Sequence, residues 1–245
     1  MPETGLDPCF ILHTRKYRDT SLLVDVLSRE QGRYTLVARG ARSKKPKFQL
    51  QLFSPVLVSV FGRGELKTAR SIEASGPGYQ LSGPNLLIGM YVNELLYRLV
   101  GKFDPCPLVF ERYPQLLQAL QREAQPLAQL RQFEIELLAD LGYGISFHVE
   151  SETGDAIKPD HRYHFLVEDG FRYLSPDQSS HNAIAGRDLL SIAAGSIDSS
   201  ADRVAKRIIR QSVDHLLGGK PLHLSLIHIS EPTRPERIAV AGVGV

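Results

Sequence analysis

About five short β-strand patterns follow one another between residues 9 and 72, and this density constrains the fold more than any other feature. Each pattern is a short, apolar or alternating run bounded by turn residues, as in Pro55-Val-Leu-Val-Ser-Val-Phe61. Five short strands in roughly sixty residues are typical of a small Greek-key barrel, commonly the oligonucleotide-binding (OB) fold. The sequence therefore predicts a five-stranded OB barrel within residues 1–80.

The apolar period changes from two to 3.6 residues beyond the Gly- and Pro-rich turns at 76–78 and 82–84. Helices are predicted at about 87–100, 108–121, 126–142, 187–194 and 201–217. Between the third and the fourth, residues 161–174 form a hairpin pattern with a turn at Glu168-Asp-Gly170. The predicted fold class is α+β, with a barrel at 1–80, a helical domain at 81–143 and 184–223, and a β-ribbon insertion at 144–183.

Positive charge is concentrated in the N-terminal part of the chain. Residues 1–80 contain thirteen Lys and Arg against seven Asp and Glu, a net charge of +6, so the rest carries −4 of the total of +2. The densest run is Arg39-Gly-Ala-Arg-Ser-Lys-Lys-Pro-Lys47, directly after a strand pattern. A cationic loop on a small sheet favours a polyanionic partner over a purely solubilising role, which is the alternative for any charge run.

OB barrels hold single strands in a basic groove whose aromatic rings stack on bases. The predicted phosphate contacts are Arg15, Arg33, Arg39, Arg42, Lys44, Lys45, Lys47, Arg63, Lys67 and Arg70. The predicted stacking rings are Tyr17, Tyr34, Phe48 and Phe53.

Other classes of site are poorly supported by the sequence. Cys9 and Cys106 form no C-x-x-C pattern, so we expect two reduced thiols in a cytoplasmic protein without a membrane span. An enzyme-like cluster comprises Asp155, Asp160, His161 and His164. On a strand, residues three apart point to opposite faces, which disfavours a shared metal, and no Walker loop or nucleophile elbow is present. We therefore expect no catalytic residue, metal or cofactor.

Several segments together resemble the bacterial RecO family of recombination mediators and DNA-annealing proteins. The segments are Thr20-Ser-Leu-Leu-Val24, Gly40-Ala-Arg-Ser-Lys-Lys45, Gly62-Arg-Gly-Glu-Leu-Lys-Thr68, Tyr91-Val-Asn-Glu-Leu-Leu96, Leu141-Gly-Tyr-Gly144 and Gly218-Gly-Lys-Pro-Leu222. Their order and spacing span residues 9 to 222. The resemblance implies an N-terminal OB fold followed by a helical domain, with a zinc-ribbon-like insertion in some members. Residues 144–183 contain no cysteine, so zinc is not expected here.

The resemblance also implies binding of single- and double-stranded DNA, annealing of complementary strands, and help in loading the recombinase RecA onto DNA coated by single-stranded-DNA-binding protein (SSB). The implied partners are RecR, SSB and, in some pathways, RecF. Two alternatives remain open: a metal-dependent nucleic-acid-processing enzyme, and a generic single-strand or RNA-binding module without mediator activity.

The last predicted helix carries a second row of cations, Arg203, Lys206, Arg207 and Arg210, spaced along one helix face. Its simplest interpretation is an ordinary solvated face. The functional alternative is a surface, completed by Arg131, that binds DNA or the acidic, hydrophobic-ended SSB tail.

The resemblance stops after Leu222. Leu224-Ser-Leu-Ile-His-Ile-Ser-Glu-Pro-Thr-Arg234 reads like the conceptual translation of a transposase-type sequencing adapter. We therefore predict that residues 224–245 are a non-native tail and leave them out of the fold prediction.

Overall fold

A computed structural model describes residues 5–62, 64–123, 126–178, 181–222 and 224. Its first five strands are β1 (Asp7–Tyr17), β2 (Ser21–Ser28), β3 (Gly32–Ala38), β4 (Pro55–Phe61) and β5 (Lys67–Ala74). They form a closed, OB-like barrel in the order β1-β2-β3-β5-β4. Neighbouring strands are antiparallel except β3 and β5, which pair in parallel where Leu36 lies beside Lys67. The prediction of a five-stranded barrel is confirmed.

Strand β1 is buried on both faces in its first half, and this joins the barrel to the helices. Cys9 and Ile11 point into the barrel core, which is filled by apolar side chains from all five strands. Phe10 and Leu12 point outward and pack with the helices in a second core. The short alternating pattern of one strand therefore serves two cores, because successive side chains of a strand face opposite sides.

The helices follow the barrel in the order predicted. They are α1 (Gly83–Leu99), α2 (Pro107–Arg122), α3 (Leu127–Asp140), α4 (Gly186–Ala193) and α5 (Ser199–Leu216). Helix α5 begins at an N-cap, Asp198, whose carboxylate accepts hydrogen bonds from the backbone N–H groups of Ser200 and Ala201. No helix in the described part of the chain is long and apolar enough to cross a membrane.

Helix α1 lies against the outer face of β1. The Asn93 side chain donates a 2.9 Å hydrogen bond to the backbone carbonyl of Leu12. Gly89 allows α1 to lie close to the segments around Leu81 and Phe53, since a β-carbon built there would lie 2.5 Å from Leu81 Cδ1 and 3.1 Å from the Phe53 ring. Close packing thus explains a glycine in the middle of a helix, where it otherwise lowers stability.

A small second sheet lies in the chain between α3 and α4. Its strands are β6 (Arg162–Leu166), β7 (Gly170–Leu174) and β8 (Ile184–Ala185), in the order β7-β6-β8. Phe165 and Phe171 form a directly opposed pair on its buried face. The hairpin predicted from the turn chemistry is confirmed, and it is held by aromatic packing.

Candidate nucleic-acid interface

The predicted cationic run folds as a compact loop at one end of the barrel, directly after β3. Gly40 has a positive φ of 74°, a conformation that glycine adopts without steric cost. The Ser43 hydroxyl approaches two carbonyl oxygens, at 2.9 Å from Gly40 and 2.6 Å from Lys45. The backbone N–H of Arg42 donates to the carbonyl of Thr20, which ties the loop to the turn between β1 and β2. The cations are therefore held on an ordered support.

Phe48 anchors the far end of this loop. Its ring is 7% exposed and belongs to the barrel core. The Lys47 ammonium lies 5.2 Å from the ring centroid, a cation–π contact at the surface. The prediction that Phe48 stacks on bases is wrong, because the ring fills the end of the barrel and positions the loop from below.

We use the name cationic loop for the side chains of Arg39, Arg42, Lys44, Lys45 and Lys47. All five are exposed. Within the described ranges, none of the five has a carboxylate oxygen within 4.0 Å. Five exposed cations on one ordered loop create a positive potential that favours a polyanionic partner.

The turn between β1 and β2 adds to this end of the barrel. Arg18 is exposed, and its guanidinium lies 5.2 Å from the centroid of the Tyr17 ring. The Arg18 carbonyl accepts a 3.4 Å hydrogen bond from Arg42. Tyr17 is half-buried, and it is the only predicted stacking ring that the structure leaves partly accessible. Sequence reasoning passed over Arg18, although it lies next to Tyr17.

Two further rings predicted to stack on bases are buried, and those predictions are also wrong. Tyr34 is 0% exposed, and its hydroxyl donates to the Asp7 carboxylate at 3.3 Å. Burial, with Cys9 and Asp7 nearby, raises the pKa of Tyr34 well above its ordinary value. Phe53 is 4% exposed and packs with the helical core. These rings lie near cations in the sequence but are buried in the fold, since burying an aromatic ring contributes a large hydrophobic free energy.

The remaining predicted barrel cations have different surroundings. Arg15 pairs with Asp25 at 3.3 Å, and Arg33 donates from Nε to the carbonyl of Val100 at 2.9 Å. Lys67 lies over the Phe103 ring with its ammonium 5.9 Å from the centroid. Arg70 is exposed, and Arg63 lies outside the described residues. Arg15 and Arg33 therefore hold structure as well as presenting charge.

Asp25 is a buried acid that the sequence analysis missed. Its side chain is fully buried, accepts a hydrogen bond from the Thr35 hydroxyl at 2.5 Å, and lies 3.5 Å from His13 Nδ1. The signal was present, since Asp25 interrupts an apolar strand pattern where a charge requires a partner. This carboxylate orients the Arg15 guanidinium at the edge of the barrel.

The fold buries one member of the second predicted cationic surface, Arg131. Arg131 is 1% exposed and forms ion pairs with Glu134 at 2.6 Å and Asp202 at 2.9 Å. Burial opposes its charge, but the two carboxylates outweigh burial and raise the pKa of Arg131. The prediction that Arg131 contributes to a binding surface is therefore wrong.

The helix α5 cations are more accessible, but they have neighbours of their own. Arg203 is exposed, and Arg210 pairs with Asp214 at 3.7 Å. Arg207 donates to the carbonyl of Asn182 at 3.3 Å. Burial and the nearby positive charge of Arg131 lower the pKa of Lys206. A role for this row in binding stays a prediction.

Comparison with known proteins identifies the family of this chain independently of the structure. The sequence model described as Recombination protein O N terminal matches residues 1–77, and that described as Recombination protein O C terminal matches residues 80–225. The chain belongs to the RecO family. A protein named DNA repair protein RecO from Psychromonas ingrahamii is 39% identical over 217 residues, which cover 87% of this chain and 93% of that protein. Proteins of the same name from Methylococcus capsulatus and Coxiella burnetii are each 39% identical, covering 89% of this chain and 90% and 95% of their own lengths.

The family assignment agrees with the resemblance found in the sequence. In this RecO-family chain, no group of three or more His, Cys, Asp or Glu within the described residues could hold a metal ion. The second family match ends at residue 225, beside the start of the tail predicted to be non-native. Apart from Leu224, that tail lies outside the described residues.

Proposed function

We propose that this chain is a non-enzymatic DNA repair and recombination mediator. It binds single- and double-stranded DNA, anneals complementary strands and, with RecR, helps to load RecA onto SSB-coated DNA. Membership of the RecO family supports the repair role, since the relatives reported above are named DNA repair proteins. The observation that carries the proposal is the cationic loop, an ordered and exposed set of cations at the end of an OB-like barrel.

The loop suits contact with phosphates more than reading of bases. Lys and Arg that neutralise phosphates release condensed counterions, which gives affinity with strong salt dependence and little sequence preference. A cationic surface of this kind favours annealing for a physical reason. Two strands held on one cationic surface repel each other less and are locally concentrated, while base pairing supplies the free energy.

The partners belong to the same proposal. RecR and, in some pathways, RecF would act with this chain, and RecA would be engaged indirectly. The SSB tail is acidic with an apolar end, so it needs cations beside apolar surface. On helix α5, Arg203 is exposed and Arg207 follows one turn later, while the half-buried Val204 packs against the helical core and leaves part of its surface for a partner. Alanine at both Arg207 and Arg210 should weaken binding of a fluorescent tail peptide, and wild-type affinity would remove α5 from the proposal.

Annealing of complementary strands, with and without SSB, across a salt series tests the proposal. We expect faster annealing of both naked and SSB-coated strands, with the acceleration decreasing as salt rises. Binding without annealing of SSB-coated strands would favour a generic single-strand or RNA-binding module. Metal-dependent cleavage of labelled DNA would favour a processing enzyme and contradict the proposal.

A further inference from the structure

A cleft of about 370 Å³ opens between β1 of the barrel and helix α1. Four apolar side chains from different segments line it: Leu12 from β1, Leu52 from the segment before β4, Met90 from α1, and Leu224, whose backbone N–H donates to the Glu94 carboxylate at 2.8 Å. Met90 is 38% exposed although it is apolar, and Leu12 is buried beneath the cleft. The cleft therefore has an apolar lining that solvent can reach.

Tyr97 of α1 lines the cleft, and two arginines and a histidine of the barrel lie around its ring. The Arg33 guanidinium lies 4.9 Å from the ring centroid and the Arg15 guanidinium 6.0 Å. The His13 ring centroid lies 6.2 Å away. Arg33 is fixed by its hydrogen bond to Val100, and Arg15 by its ion pair with Asp25. These contacts hold the two guanidinium groups beside the Tyr97 ring in the unliganded chain.

The rim of the cleft carries two arginines and a histidine that solvent can reach. The side chains of His13 and Arg15 are 52% and 44% exposed, and Arg98 is 26% exposed. The acid at the rim, Glu94, lies 3.8 Å from Arg98. An apolar slot with an aromatic wall and cations at its mouth matches the chemistry of a nucleotide, whose flat base is apolar on its faces and whose phosphate is anionic.

The cleft also lies close to the cationic loop along the chain. Arg15 is two residues before Tyr17, at the end of β1 whose turn receives the hydrogen bond from Arg42. A strand rises about 3.3 Å per residue, so Arg15 lies about 7 Å along β1 from Tyr17, where the turn that contacts the loop begins. A DNA backbone held by the loop can therefore place a nearby base in the cleft.

We propose that this cleft binds a base of single-stranded DNA, stacked on Tyr97, with its phosphate at Arg15 and His13. The inference rests on the proposed function and adds a base-stacking residue supplied by the helical part of the chain. Tyr97 would thus supply a stacking ring to an OB-like barrel in which three of the four rings predicted to stack on bases are buried. Base–aromatic stacking tolerates any sequence, because every base has a π-face.

Replacing Tyr97 with tryptophan tests the proposal directly, since the chain contains no tryptophan. We expect single-stranded oligothymidine to quench the emission of Tyr97→Trp as the base stacks on the indole. Tyr143→Trp is the matched control, because Tyr143 is 55% exposed and lies beyond α3. Its emission should not change. An oligonucleotide with abasic sites should bind through its phosphates and leave both emissions unchanged.

A second pair of variants measures affinity. Tyr97→Leu should bind oligothymidine about 5- to 150-fold more weakly, the range expected for the loss of one stacked base, and should bind the abasic strand like wild type. Tyr97→Phe, which keeps the ring, should retain affinity for both strands. A thermal melt of each variant establishes that the fold is intact.

The outcomes separate this inference from the proposed function. Saturable binding of a labelled oligonucleotide, with no change in Tyr97→Trp emission and full affinity in Tyr97→Leu, would overturn the inference and leave the proposed function standing. Absence of DNA binding by the wild-type chain would overturn both. Quenching by an acidic peptide with an apolar end, and not by DNA, would assign the cleft to a protein partner and overturn the inference.

Discussion

Removing three charges from the cationic loop should change the salt dependence of DNA binding by a calculable amount. The perturbation is the triple variant Arg42→Gln, Lys44→Gln, Lys45→Gln. These side chains are exposed, and no carboxylate of a described residue lies within 4.0 Å of them, so glutamine leaves no buried acid unpaired. The stability of the fold should therefore change little, and the effect on binding can be read as an effect on phosphate contacts.

The magnitude follows from the number of cations. Each phosphate neutralised on a single strand contributes about 0.7 to the slope of log affinity against log salt, so five loop cations give a slope of about 3.5. Leaving Arg39 and Lys47 reduces the slope to about 1.4. Between about 50 and 200 mM salt, the loop contacts alone should lower the wild-type affinity about 130-fold, and those left in the triple variant only about 7-fold; a phosphate held elsewhere, as at Arg15, multiplies both factors equally.

Fluorescence anisotropy of a labelled oligothymidine across that salt range measures both slopes. The matched control is Arg29→Gln, Arg112→Gln, Arg172→Gln, which changes the net charge by the same amount at exposed arginines that are paired with Glu111, Glu136 and Asp169. Its slope should stay close to wild type. If the loop variant keeps the wild-type slope, or if the control loses slope equally, the assignment of phosphate contacts to this loop is refuted.

Three further predictions concern stability. Phe48→Ala should lower the free energy of unfolding by about 3–5 kcal/mol, since it empties the end of the barrel core; an unchanged urea midpoint would show that the ring is not the anchor. Arg131→Ala should destabilise by about 3–5 kcal/mol, because Glu134 would remain buried without its partner, and chemical denaturation measures this loss. Burial raises the pKa of Asp7 above 3.8, so its stabilising contribution is complete below pH 3.8 and is lost as the pH rises through the folded-state pKa. Asp7→Asn should remove this dependence from urea denaturation curves recorded across pH, and an unaltered pH profile would contradict it.

The order and type of the main elements could be predicted because each one has a local signal. The period-two patterns gave the barrel strands, and the change to a 3.6-residue period gave the helices to within a few residues. The turn at Glu168-Asp-Gly170 gave the hairpin. Boundaries moved by a few residues, as in α1, which begins at Gly83 rather than near Leu87 and has a proline, Pro84, in its first turn as helix starts often do.

The binding residues were predicted unevenly. The cationic loop was visible in the sequence because consecutive charges cannot all be buried. The aromatic residues were assigned wrongly because nearness to a cation in the sequence does not say which way a ring points. Tyr34 already shared the apolar side of its strand with Leu36 and Ala38, and the barrel encloses that side.

The sequence by itself determined the strands, the helices and the front-loaded positive charge, since periodicity and composition are local properties of the chain. Only the tertiary structure decided which cations stay available, because the partners are distant in sequence: Asp202 lies 71 residues from Arg131, and the Val100 carbonyl lies 67 residues from Arg33. It also brought Tyr97 of a helix beside two arginines and a histidine of β1 and β3. Closure of the barrel and docking of α1 on β1 create those neighbours, and no local pattern encodes them.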